Sequence, residues 1–152
     1  MDTREPVDIC WQLQEQGFEV SRVTMDSGDY LWVTHDNRAV AVERKTGSDF
    51  LHSIGGRQAN GRPRLINQLL RMRETYDISI LLIEGQFYPI DAETVMVSGR
   101  TRKWRWDAID NLFLTVQQSG THVAFCAKGH LGNRIRSLQG YFDKTKHLLP
   151  PG

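Results

Sequence analysis

The sequence predicts a single α/β domain with a mixed central sheet flanked by helices. Three observations carry this. The chain has 152 residues, one domain's length and enough for a core that needs no staples. It is 39% hydrophobic and 24% charged, which excludes a disordered tail, a collagen-like chain and a disulfide-stapled miniprotein. Its strand patterns come early and then alternate with helical ones, including one continuous apolar run.

Taken in order, residues 6–16 predict a helix, with Pro6 at the first position, Ile9 and Leu13 on one stripe and Gly17 as the stop. The segment FEVSRVT (18–24) alternates as a strand does. DYLWVT (29–34) and AVAVERK (39–45) predict a hairpin around a His35–Arg38 turn. A short helix follows over 48–54, then a loop over 55–63 with three glycines. Leu65, Leu69, Met72 and Tyr76 space a helix over 64–76. ISILLIEG (78–85) is apolar throughout, the mark of a buried strand, and ETVMVSG (93–99) predicts a weaker one. A helix over 104–118, a strand over 121–127 and a helix over 131–147 complete the chain, with 148–152 as a short tail.

The two cysteines, Cys10 and Cys126, form neither a disulfide framework nor a zinc-type cluster. There is no apolar run of membrane-spanning length and no signal core at the N-terminus. The expected location is cytoplasmic, or nuclear in a eukaryote, and not secreted. The formal net charge of +1 speaks against a uniformly basic nucleic-acid binder. Its distribution is uneven. Residues 57–73 hold Arg57, Arg62, Arg64, Arg71 and Arg73 with no acid, and residues 100–105 add four more cations. Arg64, Gln68 and Arg71 share one helix face.

Chemistry concentrates between Gly28 and Asp49. Facing residues of a hairpin share a face, and faces alternate with period 2. An even pairing sum of 72 or 74 puts Asp29 on the face of Glu43 and Lys45; an odd sum puts it with Arg44. Two carboxylates at that spacing suit a hard cation that keeps waters and takes phosphate oxygens. Such a metal acidifies bound water and stabilises charge on a phosphoryl oxygen, and a neighbouring lysine serves the attacking water or the developing charge. Glu-x-Lys is also common on solvated strands, but here it ends the apolar run 39–42, where burying charge is costly unless the groups are paired or used.

The blocks DTRE (2–5), GDYLW (28–32), VERKTGSDFLHSI (42–54) and LLIEG (81–85), in that order, resemble the nuclease domain of the XPF-type structure-specific DNA endonucleases. That family carries a GD…ERKxxxD signature, here Gly28-Asp29, Glu43-Arg44-Lys45 and Asp49. The resemblance continues through Arg64-Leu65 and Gln68 and covers residues 1–147. It implies a restriction-endonuclease-like fold and Mg²⁺- or Mn²⁺-dependent cleavage of branched, flap or fork DNA, in repair or recombination. It implies Asp29 and Glu43 as metal ligands, Lys45 as the catalytic lysine, and Arg44 and Asp49 as supporting residues. Asp2 matches a further acidic position in the catalytic set. Arg57, Arg62, Arg64, Gln68 and Arg71 are the expected DNA contacts, with Arg64 favoured near the site by its spacing to Gln68. No tandem helix-hairpin-helix module follows residue 147, so a homodimer or a partner protein is the expected source of further DNA grip. Two competing readings share the fold: a non-catalytic DNA-binding scaffold, and a junction-resolving or restriction-type nuclease.

Several of these residues also have plain structural readings. Thr46-Gly47-Ser48-Asp49 fits a capping box, compatible with a site role for Asp49. Arg44 faces away from Glu43 and is placed to pair with a carboxylate. Tyr30 and Trp32 read as core aromatics; Trp104 and Trp106, beside Arg102, Lys103 and Arg105, read as an anchor for the start of their helix or as a DNA-contacting edge.

Overall fold

A computed structural model describes residues 1–97 and 99–144. Helix α1 spans Val7–Glu15, and strands β1 (Tyr30–Val33) and β2 (Ala39–Thr46) form the hairpin. Helices α2 (Gly47–Gly55) and α3 (Arg64–Thr75) lead to β3 (Ile78–Glu84). Strands β4 (Phe87–Asp91), β5 (Thr94–Val97) and β6 (Arg100–Arg102) precede α4 (Trp106–Gln118), β7 (His122–Cys126) and α5 (Leu131–Phe142).

The central sheet has the order β1-β2-β3-β7, with β1 antiparallel to β2 and the other neighbours parallel. Two parallel crossovers are made by helices, as such connections require. Strand β3 lies in the interior, and six of its seven residues are buried. Val40, Val42, Ile80 and Leu82 point to a core shared with α1 and α5. The alternate residues Ala41, Leu81 and Ile83 join Phe50, Leu65, Leu69, Ile109 and Val116 from α2, α3 and α4. The strand period thus sorts two cores onto two faces, and Glu43 and Lys45 follow Ala41 onto the α2–α3 face.

Four expectations are corrected. Residues 18–24 form no strand: Phe18 and Val20 pack partly against the first core, and the ladder is one isolated bridge between Val23 and Asp2. Alternation marks a half-buried segment there, and a single bridge does not propagate. The region 87–102 carries an antiparallel sheet, β4-β5-β6, where one weak strand was expected. Its flanking strands are mostly exposed: β6 is polar throughout, and Pro89 inside β4 speaks against a strand there. The fourth helix begins at Trp106 rather than 104. The last helix ends at Phe142; Asp143 and Lys144 lie beyond it, and residues 145–147 fall outside the described residues.

The second sheet docks through aromatics. Phe50 of α2 stacks on Phe113 of α4 with centroids 5.0 Å apart, and Phe87 of β4 meets Phe50 edge-on at 5.6 Å. No helix among the described residues is long and apolar enough to cross a membrane.

Candidate active site

The hairpin register pairs Tyr30 with Val42, a sum of 72, and Asp29, just before the strand, is brought close enough to Glu43 for their charges to act on each other. The turn that delivers Asp29 depends on Gly28, whose φ of +82° is left-handed. A Cβ there would also lie 3.4 Å from the Val42 carbonyl oxygen. Asp29 donates its N–H to that carbonyl at 2.7 Å, and the Arg44 N–H donates to Asp29 Oδ2 at 2.7 Å. Backbone hydrogen bonds therefore fix both the position and the rotation of this carboxylate.

Glu43 is 4% exposed, and Lys45 Nζ donates to its Oε1 at 2.7 Å. Burying such a pair is tolerated because each charge has its partner. Burial, together with the nearby Glu43 carboxylate, pushes the Asp29 pKa up to about 7. A carboxyl group whose ionisation is opposed by burial and by a neighbouring carboxylate is what a cation would relieve. Hydrogen bonds reach Asp29 at Oδ2 and Glu43 at Oε1, and among the described residues no donor takes the second oxygen of either. Hard oxygens in that number fit a Mg²⁺- or Mn²⁺-type ion that retains water. No cluster of three or more His, Cys, Asp or Glu suited to a metal occurs among the described residues.

Asp2 is fully buried, and its carboxylate is taken by protein donors. Oδ1 accepts from the N–H of Arg4 at 2.8 Å and from Arg4 Nε at 2.7 Å, and Oδ2 from the Met25 N–H at 2.7 Å. The Arg4 guanidinium, aided by these N–H groups, holds its pKa down to about 2. Its own N–H donates to the Asp29 carbonyl at 2.7 Å. The geometry makes Asp2 a strut beneath Asp29 rather than an open third ligand.

Arg44 points to the other face of the sheet. Its Nε donates to Glu84 Oε2 at 2.8 Å, and its Nη1 lies 3.4 Å from Glu5 Oε2, which also accepts from the Tyr30 hydroxyl. It braces the strands from behind. Tyr30 is a core aromatic, as its alternation suggests, and Trp32 packs partly against the same core.

Lys45 opens onto a cleft of about 420 Å³. Lys45, Asp49, Arg57, Arg64 and Gln68 line it, with His52 beside them. Thr46 caps α2 by accepting the Asp49 N–H at 3.2 Å, and Thr46 Oγ1 donates to Asp49 Oδ2 at 2.8 Å. Asp49 thus serves the cap and also walls the cleft. Arg57 joins the favoured Arg64 there, whereas Arg62 and Arg71 do not line it. Gln68 Oε1 is buried without a hydrogen-bond partner among the described residues.

Two residues outside the sequence-derived site belong to its surroundings. Arg4 is anchored on Asp2, yet its side chain is 66% exposed, and its charge acts on Asp29 and Glu43. It sits inside the DTRE block, so the block itself was the signal. His52 lies one helical turn after Asp49, a spacing that places both on one face.

Sheet, helices and site define an α/β domain of the XPF type. The chain belongs to the ERCC4 domain family, whose model matches residues 1–129. Among solved structures, XPF from Aeropyrum pernix is similar with a TM-score of 0.67 and 23% identity, over 95% of this chain and 64% of that one. XPF from Aeropyrum pernix in complex with DNA is similar with a TM-score of 0.61 and 24% identity, over 99% of this chain and 66% of that one. The chain spans just under two thirds of the length of these relatives. No curated protein matches the sequence.

Proposed function

We propose that the chain is a divalent-metal-dependent endonuclease that hydrolyses phosphodiester bonds in branched, flap or fork DNA. One observation carries the reading: the Asp29 and Glu43 carboxylates lie close together, and Lys45, bonded to Glu43, lines a cleft with Arg57 and Arg64. Membership of the ERCC4 domain family and the DNA complex of a similarly folded protein support it.

Asp29 and Glu43 would hold Mg²⁺ or Mn²⁺, which supplies an acidified water and screens charge on the phosphoryl oxygen. The chain's own residues do the rest. The Arg44 N–H and the Asp2 strut keep Asp29 from turning away. Glu43 orients the Lys45 ammonium, which faces the cleft and offsets charge as it grows on the phosphate. Arg57 and Arg64 grip flanking phosphates, and the Gln68 amide has an acceptor in reserve for a donor on the substrate. Asp49 keeps the first turn of α2 in place beneath them.

A labelled flap substrate tests this. Nicking should require Mg²⁺ or Mn²⁺, stop on chelation, and fall to background in Asp29→Asn and Glu43→Gln. Lys45→Ala should lower kcat by about 10²-fold and leave KM nearly unchanged. Undiminished nicking in both carboxylate variants would overturn the assignment.

A further inference from the structure

The active-site cleft does not end at His52. A second cleft of about 720 Å³ shares Asp49, His52 and Gly56 with it and runs on to Arg102 and Trp104. The two form one groove along α2, from Lys45 at the reacting end to Trp104 at the far end. Strand β6, which ends at Arg102, and Trp104 just beyond it build that far end against the last turn of α2.

Three features of the groove point to one kind of ligand. Its floor is bare at Gly55 and Gly56. A Cβ at Gly55 would lie 3.6 Å from Trp104 Cζ2, so the indole edge rests directly on the backbone, while a Cβ at Gly56 would meet nothing within 4 Å. Trp104 is half-buried, anchored on one side and lining the groove with the other. Arg57, Arg64 and Arg102 form no ion pair among the described residues, unlike Arg105, whose Nη2 lies 2.7 Å from Asp107. Asp49 is the sole acid among the residues lining either cleft.

A half-buried indole at one end of a trough of guanidiniums without carboxylate partners is complementary to an unpaired nucleic-acid strand. In a duplex the neighbouring base pairs already cover each base's faces; an unpaired base has a free π-face for an indole. We propose that this groove binds the single-stranded arm of the DNA, with one base stacked on Trp104 and phosphates on Arg102, Arg57 and Arg64. The proposal rests on the DNA-cleaving reading above and specifies which part of the substrate enters the site. The arm leads away from the scissile bond along α2, and the second sheet supplies its grip.

The test uses two forks: one with thymidine arms, and a matched fork whose arm nucleotides near the junction are abasic. The second keeps every phosphate and lacks the bases. Binding is measured in a chelator, so it does not depend on cleavage. The wild-type chain should bind the intact fork about tenfold more tightly than the abasic one. That ratio should fall to about one in Trp104→Ala and persist in Trp104→Phe. Arg102→Ala should weaken both forks alike. Equal binding of the two forks by the wild type, or an unchanged ratio in Trp104→Ala, would overturn the proposal. The wild-type comparison holds even if Trp104→Ala fails to fold. Cleavage with Mg²⁺, followed in parallel, separates the two readings. A preserved ratio without cleavage upholds the groove and sinks the nuclease; cleavage with a ratio of one does the reverse. No binding to either fork sinks both.

Discussion

Asp29 and Asp2 lie on either side of one hydrogen bond, and their environments push them in opposite directions. Asp29 is raised to about 7, above its ordinary 3.8, by burial and by Glu43. Its folded form therefore holds the proton more tightly, and the metal-free protein loses stability as pH rises from about 4 to about 7. Asp29→Asn should remove that penalty, gaining on the order of 2 kcal/mol at pH 8 and little near pH 4 in urea unfolding. Stability gained where activity is lost is the signature of a group placed for chemistry. Asp2, held down to about 2 by Arg4, behaves conversely. Its contribution is present above about pH 4 and is lost as pH falls toward 2. Asp2→Asn should cost about 2 kcal/mol at neutral pH and lower cleavage through the displaced Asp29 backbone. Its acidic position was legible from the DTRE block. Its role was not, because the Met25 N–H that occupies its Oδ2 is 23 residues away.

Among the elements, the junction between β2 and α2 matters most, since it carries Lys45 and Asp49 and receives the second sheet. A Cβ at Gly47 would lie 2.6 Å from Val97 Cγ1 of β5, a stiff side chain that is fully buried. Gly47→Ala should thus cost about 1–3 kcal/mol by overpacking, although alanine favours helix elsewhere. A thermal melt of that variant checks it. Behind the sheet, Arg44 ties Glu5, ahead of α1, to β2 and to Glu84 at the end of β3. Arg44→Ala leaves both carboxylates without that partner and should cost about 3–5 kcal/mol, with Arg44→Lys only partly restoring stability. The core elements were legible because β3 is continuously apolar and α3 keeps its stripe. Strands β4 and β6 were not. They are held by Phe87 against Phe50 and by pairing with β5, neither of which leaves a periodic trace in an exposed strand.

At the scale of the whole molecule, the +1 net charge conceals a division of labour. Several of the acids are spent on internal partners or gathered at the metal-type site, while Arg57, Arg64 and Arg102 line the groove without a paired carboxylate. Single-strand binding should weaken steeply with salt. Each of Arg57→Ala, Arg64→Ala and Arg102→Ala should reduce the slope of log K against log salt by about 0.7. A titration across salt concentrations reads this directly, and unchanged slopes would mean that those arginines touch no phosphate.

Sequence alone determined the α/β class, the hairpin that carries Asp29 and Glu43, and the membership that the signature announces. Each is a local property: period, apolar run, glycine-aspartate turn, ordered motif. Tertiary structure decided what the local pattern left open. It chose the pairing sum of 72 over the odd alternative, turned Arg44 away from the site and buried Asp2 as a strut. It brought Arg57 beside Arg64, and it carried Trp104 across some fifty residues of chain to the end of α2. Those outcomes depend on which surfaces pack together, and packing between distant segments is not written in the spacing of either segment.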